Sequence, residues 1–302
     1  MSKVSHPIPY QGSKRKIAPV IFGFVTGRKY DTLFEPFVGS GAFTLFAAKH
    51  NFAKRYVLGD SLISLIELWK SIVNDPERTS RGYRSVWEGQ KEGDLEYFNK
   101  IRKKYNENRD PILLLYLIAR CVKNAVRFNK EGNFTQSADK RRKGMNPDKM
   151  EYEILGASGL LKGKVDFFAG DFAACVSAAT LNDLVYMDPP YQGTSYGRDK
   201  RYFEQLEIEK LCDALTELNH RGVDFLLSYD GKTGDKVHGV DLPGHLNLSR
   251  IFINAGRSSQ ATLNGKSETT LESLYISPKI ACTKSHDEDE EFLHNRQQRL
   301  AF

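Results

Sequence analysis

Asp188, Pro189, Pro190 and Tyr191 close the apolar run Leu184 to Met187, and their types point to work on an amine. An exocyclic amino nitrogen on a nucleobase is a poor nucleophile because its lone pair is delocalised into the ring. Acceptors on its two N–H bonds draw the nitrogen toward a tetrahedral shape and release that lone pair. Asp188 supplies a carboxylate, a backbone carbonyl of the stiff Pro189-Pro190 turn supplies a second acceptor, and Tyr191 offers a flat face for an unstacked base. Positioning and electrostatic aiming of this kind suffice for an in-line displacement without a covalent intermediate. The prolines also forbid continuation of a strand, so the acid sits where open α/β sheets hold their ligands, at a strand's carboxyl end.

A second set lies near the amino terminus. In FEPFVGSGAF an apolar strand runs past Phe37 into Gly39 and Gly41 and then into a helix, the geometry in which glycines let a ligand approach the backbone. Asp60 ends the next strand about 20 residues on, where a nucleotide-binding βαβ unit keeps its ribose-binding acid. The alternative is a plain glycine turn and a helix-capping Asp. Position 44 is Thr44, so the third glycine of a pyrophosphate binder is missing, and no GxxxxGK[ST] loop occurs. A nucleoside without a diphosphate fits best. S-adenosylmethionine is such a molecule, with a ribose for Asp60 and a sulfonium for nearby acids and aromatic faces. Cys121, Cys175, Cys212 and Cys282 form no CxxC pair, which argues against zinc and disulfide scaffolds. None follows a proline, as the thiolate nucleophile of cytosine carbon-5 methylation typically does.

These residues need a scaffold. Strand character appears at Thr32 to Phe37, Arg55 to Leu58, Val165 to Phe168, Leu184 to Met187, Phe225 to Ser228, Arg250 to Asn254 and Leu271 to Ile276, interleaved with helical stretches. That pattern predicts a wound α/β sheet. SLISLIELWKSIVND and EIEKLCDALTELNHRG carry apolar residues at helical spacing. The gap between the second and third strands is too long for a crossover. Residues 75–163 therefore read as an inserted, mostly helical domain, with PILLLYLIARCVKNAV as a buried helix, while 1–74 and 164–302 form the sheet domain. The tail from Thr283, with its acidic run, reads as mobile.

The net charge of +6 is localised. Residues 75–163 carry 19 Lys and Arg against 13 Asp and Glu, and the rest of the chain balances at 25 of each. Such a segment is a solvated face or a seat for a polyanion. Arg127, Asn129, Lys140, Arg141, Arg142 and Lys143 are the candidate nucleic-acid contacts. The sequence shows no apolar run near the roughly 20 residues of a membrane span and no signal-peptide core at its start, which reads as cytoplasmic.

Taken in order, YQGSK, EPFVGSGAF, LGDSLISL, VRFNKEGNF, FFAGDF and YMDPPY resemble the Dam-type, D12-class DNA adenine-N6 methyltransferases, over nearly the whole chain to about Ser277. The motif order is similar to that of the α group. The resemblance implies a Rossmann-like seven-stranded methyltransferase sheet with 75–163 as the target-recognition domain. It also implies S-adenosylmethionine as cofactor and an adenine flipped out of duplex DNA. A restriction-modification or phage setting follows from it, with a cognate restriction endonuclease as an expected partner. By motif, Tyr10 and Lys14 correspond to cofactor contacts, Asp60 to the ribose acid, and Asp171 with Phe172 to the pair holding the cofactor's adenine. Asp188 and Tyr191 correspond to the catalytic acid and the stacking ring.

Two departures matter. Tyr10 stands where close relatives often have Trp, and TQSADKRRKG replaces the asparagine and proline-glycine turn usual after VRFNKEGNF, so no recognition sequence carries over. The competing readings are cytosine-N4 transfer, RNA or protein-glutamine methylation, a nicotinamide-dependent oxidoreductase, and a DNA-binding module without catalysis.

Overall fold

The computed structural model describes residues 4–90, 94–190, 208–233, 236–238, 241–257 and 269–282. The chain builds one mixed sheet from β1 (Tyr30–Glu35), β2 (Ala53–Asp60), β3 (Val165–Ala169), β4 (Leu184–Met187), β5 (Asp224–Thr233), β7 (Ser249–Arg257) and β8 (Thr269–Ile276). Their order is β3-β2-β1-β4-β5-β8-β7, and a short β6 (Lys236–His238) pairs with β5 beside this path. The first five strands are mutually parallel, whereas β8 runs antiparallel to β5 and β7. The chain leaves β1 to one side for β2 and later returns on the other side as β4. A crevice therefore opens where the carboxyl ends of β1 and β4 diverge, the usual ligand position in such sheets.

Alternation along the parallel strands feeds two cores. Leu33, Leu184, Tyr186 and Leu226 face one, and Phe34, Val185, Met187, Phe225 and Leu227 face the other. The second core is closed by the short α8 (Phe172–Val176) and by α9 (Ile208–His220), which buries Leu211, Ala214, Leu215 and Leu218 at helical spacing. The first core is covered by α1 (Ala18–Gly23), α2 (Ala42–Lys49) and α3 (Ile63–Asn74), and by the helices that follow α3.

Those helices fill the predicted insertion: α4 (Pro76–Glu88), α5 (Leu95–Asn108), α6 (Pro111–Arg120) and α7 (Pro147–Leu161). Caps explain their starts. Asp94 accepts from Tyr97 N, Asp110 from Ile112 N ahead of Pro111, and Asn146 from Asp148 N ahead of Pro147. Every residue of α6 from Ile112 to Arg120 is buried, so this helix is enclosed on all sides. The insertion shares its interior with the sheet domain, since Met150, Ile154 and Leu114 belong to the same core as Leu68 and Ile72 of α3. Ser158 Oγ also donates to Val73 O at 2.7 Å.

The run PILLLYLIARCVKNAV departs from expectation in its second half. The helix stops at Arg120, because Lys123 and Asn124 take positive φ (57° and 51°) in a single 3-10 turn and Cys121 bridges to Ala138. Of the four cysteines, Cys121 and Cys175 are buried and Cys282 is exposed; all four are free thiols. A short α10 (Pro278–Ala281) ends the described chain. Among the described residues no helix is long and apolar enough to cross a membrane.

Candidate active site

The glycine turn after β1 takes its shape from two left-handed residues, Gly39 (φ +45°) and Gly41 (φ +59°). A Cβ on Gly41 would lie 2.8 Å from Trp69 Cζ2, so this position needs both the backbone freedom and the missing side chain. The Trp69 indole in turn donates to Gly39 O at 3.1 Å and holds the loop from beneath. Tyr10 lies over the same glycine, with a ring carbon 3.7 Å from where a Gly39 Cβ would be.

Asp60 is anchored at the end of β2 by two backbone donors, Gly39 N at 3.3 Å and Leu62 N at 3.0 Å. Burial pushes its carboxyl up to about 6 against those two bonds. Beyond it, Gly170 N donates to Asp60 O at 3.0 Å and brings the end of β3 alongside. Asp171 follows, caps α8 by accepting from Ala173 N, and pairs with Lys210 at 2.6 Å. Phe172 stacks on Phe37 with centroids 5.1 Å apart. Two aromatic rings, an acid at a strand end and a glycine turn thus share one rim. Such a cradle fits a nucleoside: a flat apolar wall for a base, a carboxylate for ribose hydroxyls, and backbone with no side chain in the way.

Asp188 lies across the crevice at the end of β4. Lys14, in a 3-10 turn, places its ammonium 3.1 Å from Asp188 Oδ1 and 3.0 Å from Glu272 Oε2. Lys14 is only 8% exposed, so this contact is shielded from solvent. Burial pushes the Asp188 carboxyl up to about 6; Lys14 opposes that shift and Glu272 adds to it. Pro189 is buried beside it. Tyr191 lies outside the described residues.

Two acids here were not singled out from the sequence. Glu35, the last residue of β1, is buried at 3% exposure, accepts from Thr44 N at 3.0 Å, and has its carboxyl pushed up to about 8 by that burial. A glutamate inside the apolar run of a central strand is itself the signal that could have found it. Glu272 offers no such signal, since it reaches Lys14 only through the pairing of β8 with β5.

The candidate nucleic-acid residues fall in two pinned loops. Phe128 and Phe134 bridge the base of a hairpin, and Asn129 closes its tip by accepting from Asn133 N at 2.8 Å through its side chain. Arg127 O accepts from Thr135 N on the same hairpin. In the second loop Lys140 and Arg141 are exposed and Lys143 half-buried. Arg142 pairs with Asp139 at 2.8 Å. This loop rests on buried Arg120, which donates to Arg142 O (2.7 Å), Asp139 O and Gln90 Oε1, while Gln90 donates to Lys143 O. Gln11 N, in the amino-terminal motif, donates to Asn124 O at 3.0 Å and ties this region to the crevice.

Residues 10–252 match the family model described as D12 class N6 adenine-specific DNA methyltransferase. Similar proteins include the DNA N-6-adenine-methyltransferase of Escherichia phage P1, 29% identical over 74% of this chain and 29% of its own length. The Type II methyltransferase M.FokI of Planomicrobium okeanokoites is 26% identical over 91% of this chain and 43% of its own. The Type II methyltransferase M1.LlaDCHI of Lactococcus lactis subsp. cremoris is 25% identical over 85% and 90%. The chain thus spans less than half the length of the first two relatives and nearly all of the third.

Proposed function

Because this chain belongs to the D12 class of N6 adenine-specific DNA methyltransferases, we propose that it methylates the N6 amine of adenine in a short duplex DNA sequence, using S-adenosylmethionine. The observation that carries this reading is the pairing of two half-sites across one crevice: the Gly39 to Gly41 turn with Asp60 on one side, and Asp188 held on Lys14 on the other.

The donor supplies an electrophilic methyl group on a sulfonium. In this reading Asp60 receives the ribose hydroxyls, Phe37 and Phe172 form the wall for the base, and Asp171 with Tyr10 borders it. Asp188 accepts an N–H of the flipped adenine, a carbonyl of the Pro189 turn takes the other, and Tyr191 stacks on the ring. Lys14 favours the ionised form of the half-buried Asp188, and a carboxylate is a stronger acceptor than a carboxylic acid. Residues 75–163 serve as the target-recognition domain, with Arg127, Lys140 and Arg141 toward DNA. A cognate restriction endonuclease is the proposed partner in a restriction-modification setting.

The test is expression in a host without DNA methylation, followed by long-read sequencing of its genomic DNA with Asp188→Ala as control. N6-methyladenine confined to one short motif and absent from the control is the expected result. N4-methylcytosine in its place, or no modification, would reject the reading. Purified Asp188→Ala should still bind S-adenosylmethionine by calorimetry, because Asp60 and the glycine turn are untouched; a parallel loss of binding would remove the purely catalytic assignment.

A further inference from the structure

Glu272 lies beyond the stretch that matches the family model and outside every motif of the sequence, yet it completes the charge cluster of the crevice. Its position depends on a fault in the sheet. Between Ser228 and Gly231 the pairing of β5 with β8 shifts register: Ser228 opposes Leu274, and three residues on Gly231 opposes Glu272, only two residues back along β8. Such a bulge re-aims side chains next to a site. Gly231 permits it, since any Cβ there would run into Leu271 O. Glu272 remains at 18% exposure with its carboxylate on the Lys14 ammonium.

We propose that Glu272 is a positioning residue for methyl transfer, sharing the Lys14 ammonium with Asp188 so that Asp188 is held ionised but not neutralised. The proposal rests on the functional reading above. A lone Lys14–Asp188 pair in a shielded site would turn the carboxylate's electron density toward the lysine and away from the amine it must accept. With a second carboxylate on the same Nζ, the cluster of Lys14, Asp188 and Glu272 carries one net negative charge. Among the described residues, Asp188 Oδ2 takes no hydrogen bond, so it is the oxygen left to accept an N–H. The charged and titratable groups among the described residues that act on Asp188 are Lys14 from the 3-10 turn, Glu35 from β1, Tyr186 from β4 and Glu272 from β8. Glu35, pushed up to about 8, is mostly protonated at pH 7, so among these described groups Lys14 and Glu272 carry the formal charges.

The direct test needs no turnover. In protein labelled with carboxyl-13C aspartate, the Asp188 resonance is identified by its loss in Asp188→Asn and followed through a pH titration. The two carboxylates lie within roughly 6 Å of each other across Nζ, so Glu272→Gln should lower the Asp188 midpoint by about one unit. Lys14→Met should raise it, and Glu272→Asp should restore part of the wild-type value. A midpoint that stays put in Glu272→Gln overturns the proposal.

The kinetic test uses tritiated S-adenosylmethionine and unmethylated genomic DNA. Glu272→Gln should lower kcat roughly tenfold with little change in the donor KM, and the acidic limb of its profile should move to lower pH. A fall in kcat with an unmoved acidic limb would assign Glu272 a merely structural role and reject the inference. Nucleoside analysis of the wild-type product tests the functional reading separately, and the titration decides the coupling whichever product is found.

Discussion

At the scale of single residues, Glu35 shows how the site is built at a cost to the fold. It is a carboxyl sealed at the end of a central strand, and burial pushes it up to about 8 from an ordinary value near 4.5. The folded protein therefore binds more protons than the unfolded chain across that window, and stability must fall as pH rises through it, by about 1.4 kcal/mol per unit at most from this group. Glu35→Gln keeps the acceptor for Thr44 N and removes the ionisation. Thermal unfolding should show the variant more stable than wild type at pH 8 and above, with the difference vanishing toward pH 4.5. A difference independent of pH would mean that Glu35 is not the titrating group. Asp188 and Asp60, each pushed up to about 6, contribute the same sign over a narrower range.

At the scale of elements, the glycine turn and α3 act as one piece. Gly41→Ala would place a methyl group against Trp69 and force a left-handed φ on an L residue, costing about 1–2 kcal/mol for the backbone alone. Because Trp69 also holds Gly39 O, calorimetry should find weaker S-adenosylmethionine binding along with the lower melting temperature. Unchanged affinity at reduced stability would detach the indole from the cofactor side.

This is also the scale at which sequence and structure part company. Strands such as Leu184–Met187 were legible as short apolar runs, and Asp60 and Asp188 as acids at strand ends, because those signals are local, whereas Asp171 came only from the motif FFAGDF. The end of α6 was not, since no Gly or Pro marks it and the stop is imposed by the Cys121–Ala138 bridge. Glu272 was hidden for a similar reason: its partner Lys14 is remote in the chain, and a bulge fixes the register that joins them. Trp69 read as one more apolar position of an amphipathic helix, although its N–H serves the glycine turn.

At the scale of the molecule, the charge excess of 75–163 resolves into side chains with different duties. Arg141 is exposed, whereas Arg142 is committed to Asp139 within the loop. If Arg141 meets a phosphate, Arg141→Ala should weaken DNA binding and reduce the slope of log K against log salt by about 0.9. Arg142→Ala should alter that slope less, because its charge is already countered by Asp139. Equal slopes for both variants and wild type, measured by fluorescence anisotropy over a salt series, would return the loop to an ordinary solvated face.

The continuous interior shared by α3, α6 and α7 restricts how such a protein can be recombined. A chimera cut at the edges of the insertion would sever one packed body, including the Ser158–Val73 bond, and should refold poorly. Cuts at 121 and 146 would sever that body as well, because Cys121, Phe134 and Ala138 are buried in the same interior and Arg120 donates to Arg142 O. If 75–163 holds the proposed recognition role, new target preferences should come from exchange of exposed side chains such as Lys140 and Arg141, one position at a time, and not from wholesale transplant of a segment.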